Sequence, residues 1–469
     1  MTLMEFAIDQ EGERMYTLAV GSKIKLEIRK QGINGEGIGY YNRLAIFVPG
    51  AILKEIVLCE IVQMNERYAV ARIDEIERVS TKRTLPPCKF YDQCGGCQMQ
   101  HIDYKEQLKI KQSIMHQALA RYTDLDLGQV DLKRTLGMKD TYHYRNKSQM
   151  PFRQTNFGLA LGLYRPDSHQ FVFVDDCVVH DEMVNRINSE TLSLLRKHEV
   201  EAVDGSPEKG ILHNLVVRYL AATKSASVTF ILSRYDPALE LVAKDLSKRN
   251  PVVKSISYSI NRKTNPLMFG RKVELIAGAP HIYDKFADLK VRISPDAFHQ
   301  LNSTQMEILY AEILKAADLS GKETVVDCYS GIGITSMLLA KAAKRVIGID
   351  YSESSIADAN VNVRENKLDN VTFIAKHVES ALPELIAKGT KIDVVLLDPP
   401  RMGLQESVID ALLKAKPKKL IYVSCNPSTL AKNLKLLLKE YDLQSIQPID
   451  MFPHTASIES VSLLRRRGS

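Results

Sequence analysis

A thiol and two carboxylates carry the chemistry that can be read from this chain. Cys425 lies in Ser424-Cys425-Asn426-Pro427, at the end of an apolar run that reads as a strand. Asp398 leaves another such run into Pro399-Pro400-Arg401, and Glu459 stands just before the last one. A thiolate adds to an electron-poor ring carbon, and a carboxylate can remove a proton from the adduct. Four more cysteines form a second set, Cys88-x5-Cys94-x2-Cys97 with Cys177 far downstream. All-cysteine ligation suits zinc or an iron–sulfur cluster. The spacing is not the paired C-x2-C of zinc ribbons, which favours [4Fe–4S]. Four ligands leave no open iron, so the expected role is structural. Cys59 and Cys328 read as core residues.

The elements that must position Cys425, Asp398 and Glu459 begin near residue 300, where the pattern becomes strictly alternating strand and helix. Such alternation predicts a parallel sheet covered by helices. The expected strands are Thr324–Cys328, Arg345–Asp350, Val371–Ala375, Ile392–Leu397, Lys419–Ser424 and Ser460–Arg466, with helices over Ile334–Ala343, Ser354–Asn366 and Ser428–Tyr441. The first strand runs into Tyr329-Ser330-Gly331-Ile332-Gly333, a turn whose glycines permit close approach of a ligand. A dinucleotide fold is the obvious rival. Its G-x-G-x-x-G fingerprint is incomplete here, because position 336 is Ser. Asp350 ends the second strand, where a carboxylate can take both ribose hydroxyls. Asp398 ends the fourth, at the edge where doubly wound sheets bind ligands. Three such signals on successive strands fit S-adenosylmethionine.

The acceptor atom follows from what surrounds the thiol. Adenine N6 enzymes place an aromatic residue after (N/D)-P-P, and this chain has Arg401 there. Cytosine C5 enzymes commonly carry a cysteine in the strand-four motif, and residues 396–401 contain none. The thiol on strand five instead suits uracil C5. Attack of Cys425 on C6 makes C5 nucleophilic, and Glu459 is the candidate base that then removes the C5 proton.

Length and composition set the wider frame. At 469 residues the chain calls for several domains, and 45% hydrophobic with 25% charged residues is ordinary for a globular protein. A net charge of +7 is compatible with a polyanionic partner without requiring one. Residues 1–20 mix Glu5, Asp9, Glu11, Glu13 and Arg14 among apolar residues, so no secretory signal is expected. No apolar run approaches membrane-spanning length. The expectation is a cytoplasmic protein away from membranes, a monomer without an obligate protein partner. Seven cysteines in such a setting argue for metal binding or catalysis rather than disulfides.

Upstream, residues 16–80 read as short strands with turn glycines, among them Lys23–Ile28, Ala45–Val48, Glu55–Ile61 and Tyr68–Ile73. Small β-barrels of this kind bind oligonucleotides, although a purely structural barrel fits the pattern equally. Helical spacing marks His101–Arg121, and residues 140–285 alternate strands and loops.

Taken as a set, these motifs resemble the RNA 5-methyluridine methyltransferases, in particular the 23S ribosomal RNA type. Gly35-Glu36-Gly37-Ile38-Gly39 and Tyr68-Ala69-Val70-Ala71 look like the TRAM RNA-binding barrel, and Cys94-Gly95-Gly96-Cys97-Gln98 like the family's cluster motif. Phe298-His299-Gln300-Leu301-Asn302 is similar to F-x-Q-x-N. The resemblance implies Gln300, Tyr329, Asp350 and Asp398 as cofactor contacts, Cys425 as nucleophile and Glu459 as base. It also implies Cys177 as the fourth ligand of a [4Fe–4S] cluster. Ser457 departs from the family, which often has His two residues before the base. The implied fold is an α/β class I methyltransferase, Rossmann-like with a mainly parallel sheet. An N-terminal TRAM/OB-like barrel (16–80) and a central α+β iron–sulfur domain (81–285) precede the catalytic domain (286–469), on which the His101–Arg121 helix is expected to dock. Barrel and cluster together favour ribosomal RNA as partner. A tRNA enzyme of the same chemistry, and a non-catalytic RNA-binding iron–sulfur protein, are the alternatives.

Overall fold

A computed structural model describes residues 6–8, 14–16, 18–203, 210–261 and 268–468. Most of the acidic opening segment of residues 1–20 lies outside the described residues. Two compact units are distinguished. One comprises Met1–Pro87, Cys97–Ile114 and His454–Ala456, and the other Cys88–Gly96, Met115–Pro453 and Ser457–Ser469.

The smaller unit is built on a six-stranded sheet. Its strands run Lys23–Glu27, Ile56–Met64, Tyr68–Arg78, Leu44–Val48, Gly37–Tyr41 and Lys30–Gln31 in spatial order. Alternation in Lys23–Glu27 buries Ile24 and Leu26 and exposes the lysines, as a half-buried strand requires. The sheet curls tightly enough that a Cβ on Gly39 would lie 2.4 Å from Leu26 Cγ, so only glycine fits there. Its core holds Ile28, Ile46, Val57, Cys59 and Ile61. Cys59 is a fully buried core residue, as expected.

The larger unit contains two seven-stranded sheets. In the first, strands Phe171–Phe173, Gly158–Tyr164, Lys147–Thr155, Leu212–Leu220, Ser225–Leu232, Val253–Ile260 and Glu274–Gly278 lie side by side in that order. Helices Glu182–Lys197 and Ala238–Arg249 pack their apolar faces against it.

The second sheet carries the candidate site. Its strands are β1 (Thr324–Cys328), β2 (Arg345–Asp350), β3 (Val371–Ala375), β4 (Val394–Leu397), β5 (Lys419–Ser424), β6 (Tyr441–Ile449) and β7 (Glu459–Arg466), in the spatial order β3-β2-β1-β4-β5-β7-β6. Strands β1 to β5 are mutually parallel, and β7 is antiparallel to both neighbours. The order reverses between β1 and β4, which makes a crevice at the strands' carboxyl ends. Helices α1 (Ser303–Ala317), α2 (Ile334–Ala340), α3 (Glu353–Glu365), α4 (Val378–Ala387), α5 (Glu406–Ala415) and α6 (Pro427–Leu437) belong to the same fold. The mainly parallel sheet is the one expected from the alternating pattern, and the arrangement is the class I methyltransferase fold that the resemblance implies.

Two differences from the sequence reading stand out. The expected helix Ser428–Tyr441 stops at Leu437, and Tyr441–Ile449 forms a strand that the periodicity did not reveal. This strand lies at the edge of the named sheet, flanked by the irregular segment 131–136. Pro448 is tolerated there because Gln447 Nε2 donates to Arg134 O at 2.8 Å in place of a backbone N–H. Helices α1, α4 and α5 were also not legible. In α4, Pro383 interrupts an otherwise helical signal. No helix among the described residues is long and apolar enough to cross a membrane.

Candidate active site

The site is built on the carboxyl ends of β1, β2, β4 and β5 and the start of β7. Strand β1 leaves the sheet at Tyr329, which adopts a left-handed φ of 68°, followed by Gly331 at 52° and Gly333 at 83°. A Cβ on Gly333 would lie 2.6 Å from the Phe373 ring, whereas one on Gly331 would meet nothing within 4 Å. Gly331 therefore faces open space from which a ligand can reach the backbone. Asp350, at the end of β2, accepts from Gly331 N–H (2.9 Å) and from Ser352 N–H (2.8 Å). One bond engages each carboxylate oxygen, and each keeps a lone pair for a ribose hydroxyl. Tyr329 donates through its hydroxyl to Glu379 Oε1 (3.2 Å), at the start of α4.

Beneath this turn lies Asp327, buried in β1. Ser336 Oγ donates to its Oδ2 at 2.6 Å. The residue that breaks the dinucleotide fingerprint thus has a structural task of its own. Burial pushes both Asp327 and Asp398 up to about 7, with the nearby charges of Asp398 and Asp350 adding to the shift at Asp327. A crevice whose carboxylates are costly to ionise gains from a cationic ligand, and the sulfonium and ammonium of S-adenosylmethionine supply positive charge. The residues present fit that cofactor.

Gln300 is buried in the irregular segment between the strand Leu289–Ile293 and α1. Its carbonyl accepts from Asn146 Nδ2 at 3.0 Å. Asn302 caps α1, accepting from Gln305 N–H, and its Nδ2 donates to Met451 O at 3.1 Å. Within Phe298–Asn302, Asn302 thus fixes the backbone. The segment reaches the start of α3 through Ser354 Oγ, which donates to Asp296 Oδ2 at 3.0 Å, and so runs close to Asp350.

The reactive groups meet through strand register. Ser424 of β5 pairs with Ser460 of β7, and Ser460 Oγ donates to Ser424 O at 3.3 Å. Antiparallel pairing continued by one step sets Cys425 opposite Glu459. Asn426 then caps α6, accepting from Ser428 N–H (3.0 Å) and Thr429 N–H (3.4 Å), with Pro427 at the first turn where no N–H is required. Asn426 Nδ2 and Thr429 Oγ1 also donate to Arg401 O, at 3.1 and 3.2 Å. These bonds pin the Pro399-Pro400-Arg401 loop to the helix that follows the thiol.

The electrostatics confirm the proximity. Burial pushes the Cys425 thiol up to about 11, the charges of Glu459 and Asp398 add to the shift, and Arg401 opposes it. Burial likewise raises Glu459 well above the usual carboxylate range, again with Asp398 adding and Arg401 opposing. Glu459 Oε1 has no hydrogen-bond partner among the described residues. Arg401, noted in the sequence only as a missing aromatic, is the cation facing both groups. A basic residue directly after the double proline was the available signal.

The cysteine set is less complete. Cys94 Sγ accepts from Gly96 N–H at 3.3 Å, and the charge of Cys88 raises Cys94 while that of Cys94 raises Cys177, each after burial as the main cause. Among the described residues, however, no three His, Cys, Asp or Glu side chains come together as a metal ion would require. The geometry of the described residues therefore does not support a cluster.

With this geometry established, known proteins agree on its class. The sequence pattern of the tRNA (uracil-5-)-methyltransferase family matches residues 103–467, and that of the TRAM domain residues 18–73. The chain belongs to this family. It is an S-adenosylmethionine-dependent RNA methyltransferase with a TRAM domain. An uncharacterized RNA methyltransferase of Listeria innocua is 40% identical over 95% of this chain and 98% of its own. One from Bacillus cereus is 37% identical over 96% and 98%. The structure of a Pyrococcus abyssi tRNA (uracil-54, C5)-methyltransferase, bound to S-adenosyl-L-homocysteine, is 26% identical with a TM-score of 0.73, covering 94% of this chain and 100% of that one.

The coupling of the two reactive groups is measurable. Alkylation of Cys425 by iodoacetamide, followed by mass spectrometry, is expected to accelerate with pH up to about 11. Because the Glu459 charge raises the thiol, Glu459→Gln moves that profile to lower pH. An unshifted profile would show that the two groups do not interact.

Proposed function

We propose that this enzyme transfers a methyl group from S-adenosylmethionine to C5 of a uridine in 23S ribosomal RNA, with Cys425 as nucleophile and Glu459 as base. The observation that carries this reading is the Ser424–Ser460 pairing, which ends the β5–β7 ladder one step before Cys425 and Glu459, with the charges of Asp398 and Arg401 acting on both. Gln300, Tyr329, Asp350 and Asp398 are the proposed cofactor contacts. When bound, S-adenosylmethionine supplies the methyl group as a cationic sulfonium.

The raised thiol and the raised carboxyl impose an order on the steps. Two adjacent anions repel, so the Cys425 thiolate forms most readily while Glu459 is neutral. Addition of sulfur to C6 moves the negative charge into the ring as an enolate, which makes C5 nucleophilic. C5 then bonds the methyl carbon as that carbon's bond to the donor's sulfonium sulfur breaks, releasing a neutral thioether. With no negative charge left on the adduct the repulsion is gone, and Glu459 ionises more easily. Its carboxylate takes the C5 proton, the C5–C6 double bond reforms, and the C6–S bond breaks to release Cys425. Arg401 stabilises whichever of the two groups is negative at each stage. The target base has to leave its stack to reach the thiol, as for other enzymes acting on a nucleobase.

The choice of 23S ribosomal RNA is supported by the combination of barrel and cysteine motif in the sequence. A tRNA acceptor is the second reading, favoured by the structural likeness to a tRNA enzyme over 94% of this chain. A [4Fe–4S] cluster is proposed on the sequence alone, Cys88, Cys94 and Cys97 from their spacing and Cys177 from the family resemblance. Cytoplasmic location and a monomeric state accompany the reading.

Cys425→Ala is expected to abolish methyl transfer, and Glu459→Gln to accumulate a covalent RNA adduct visible on a denaturing gel. Mass mapping of RNA from a deletion strain should show a lost methyluridine in 23S RNA; loss confined to tRNA selects the second reading. Anaerobically purified protein should carry iron and sulfide with visible charge-transfer absorbance. Stoichiometric zinc, or no metal, would remove the cluster from the account.

A further inference from the structure

Arg218 is the largest side chain fully withdrawn from solvent among the described residues, at 2% exposure. It lies on the strand Leu212–Leu220, opposite Lys147 of the neighbouring strand. Its Nη2 donates to Ala297 O at 2.6 Å, whereas Nε and Nη1 have no hydrogen-bond partner among the described residues. Burial lowers it to about 10, although the charges of Asp296, Asp284 and Asp358 favour its charged form. The other groups facing it are cations or can become so. Lys147 is lowered to about 7 by burial and by Arg218, and His299 is lowered by burial and donates to or accepts from Asp284 at 3.0 Å.

A buried guanidinium with one bond is an expensive way to hold a structure together. Each unbonded buried donor carries a desolvation cost that no hydrogen bond offsets. The single bond that Arg218 does make falls on the irregular segment leading into Gln300. This segment takes its shape from side-chain tethers rather than from a ladder of its own. Asp358 accepts from Ser294 N–H and Oγ at 2.7 and 2.9 Å on the α3 side, and Asn146 holds Gln300 O on the side of the first sheet. A contact residue on such a segment is only as well placed as its tethers.

We propose that Arg218 is a positioning residue for the cofactor, holding Ala297 so that Gln300 is presented correctly, and that the first sheet of the larger unit thereby sets cofactor affinity. The inference rests on Gln300 as a cofactor contact. R218M removes the tether together with the charge that Asp296, Asp284 and Asp358 face. R218K keeps a charge but loses the planar fork.

Calorimetric titration of S-adenosylmethionine into the RNA-free full-length protein, with melting curves, tests this. R218M is expected to weaken cofactor binding about tenfold or more, and R218K about threefold, since small displacements of a contact are costly. R218M should fold with a lower melting temperature, because Asp296, Asp284 and Asp358 lose the cation they face, and kcat at saturating cofactor should change by less than about twofold in both. Wild-type cofactor affinity in a folded R218M overturns the proposal, as does a loss of kcat with affinity intact. If R218M does not fold, R218K decides alone, and wild-type affinity in it overturns the proposal. Gln300→Ala separates the two levels: unchanged binding there removes Gln300 from the cofactor site, whereas weakened binding there with a normal R218M removes only Arg218.

Discussion

The register between β5 and β7 is the constraint on which the site depends. One antiparallel pairing, Ser424 with Ser460, sets a thiol from one strand end opposite a carboxyl from the other. The two residues are 34 positions apart in sequence, and nothing local brings them together. A slip of one residue would turn Glu459 to the opposite face of the sheet. The buried strand Lys419–Ser424 and the largely buried β7 resist such a slip, because both faces of the sheet are packed.

Burial then determines the chemistry. A thiol and carboxyls that are all costly to ionise make a site that gains from any positive charge brought near it. Arg401 is the permanent counter-charge, and the loop that carries it is tied to the helix following Cys425. The glycine turn after β1 and the Asp350 carboxylate occupy the neighbouring edge. The groups proposed to bind the methyl donor and those proposed to activate the acceptor therefore share one crevice at the switch point of the sheet.

Much of this was legible in the sequence because its signals are local. Strands β1, β2, β3 and β5 are apolar runs with clear ends, and Asp350, Asp398 and Cys425 each mark a strand's carboxyl terminus. What stayed hidden depends on distant partners. Strand β6 contains Pro448 and mixed polarity, and only its place at the sheet's edge makes it a strand. The task of Ser336 needs Asp327 across the turn, and that of Asn302 needs Met451. Arg218 looked like any surface arginine, since its burial arises from packing between the strand Leu212–Leu220 and a segment nearly 80 residues away. The cysteine motif is the reverse case, a strong spacing signal without a matching convergence of ligands among the described residues.

The central claim is that the methyl group enters at carbon 5 with loss of that carbon's hydrogen to Glu459. RNA carrying tritium at C5 of uridine tests it most directly. Tritium released to water in step with methyl transfer, one for one and only when S-adenosylmethionine is present, is the predicted result. Methyl transfer that leaves the tritium in place would put the new bond on another atom and contradict the account.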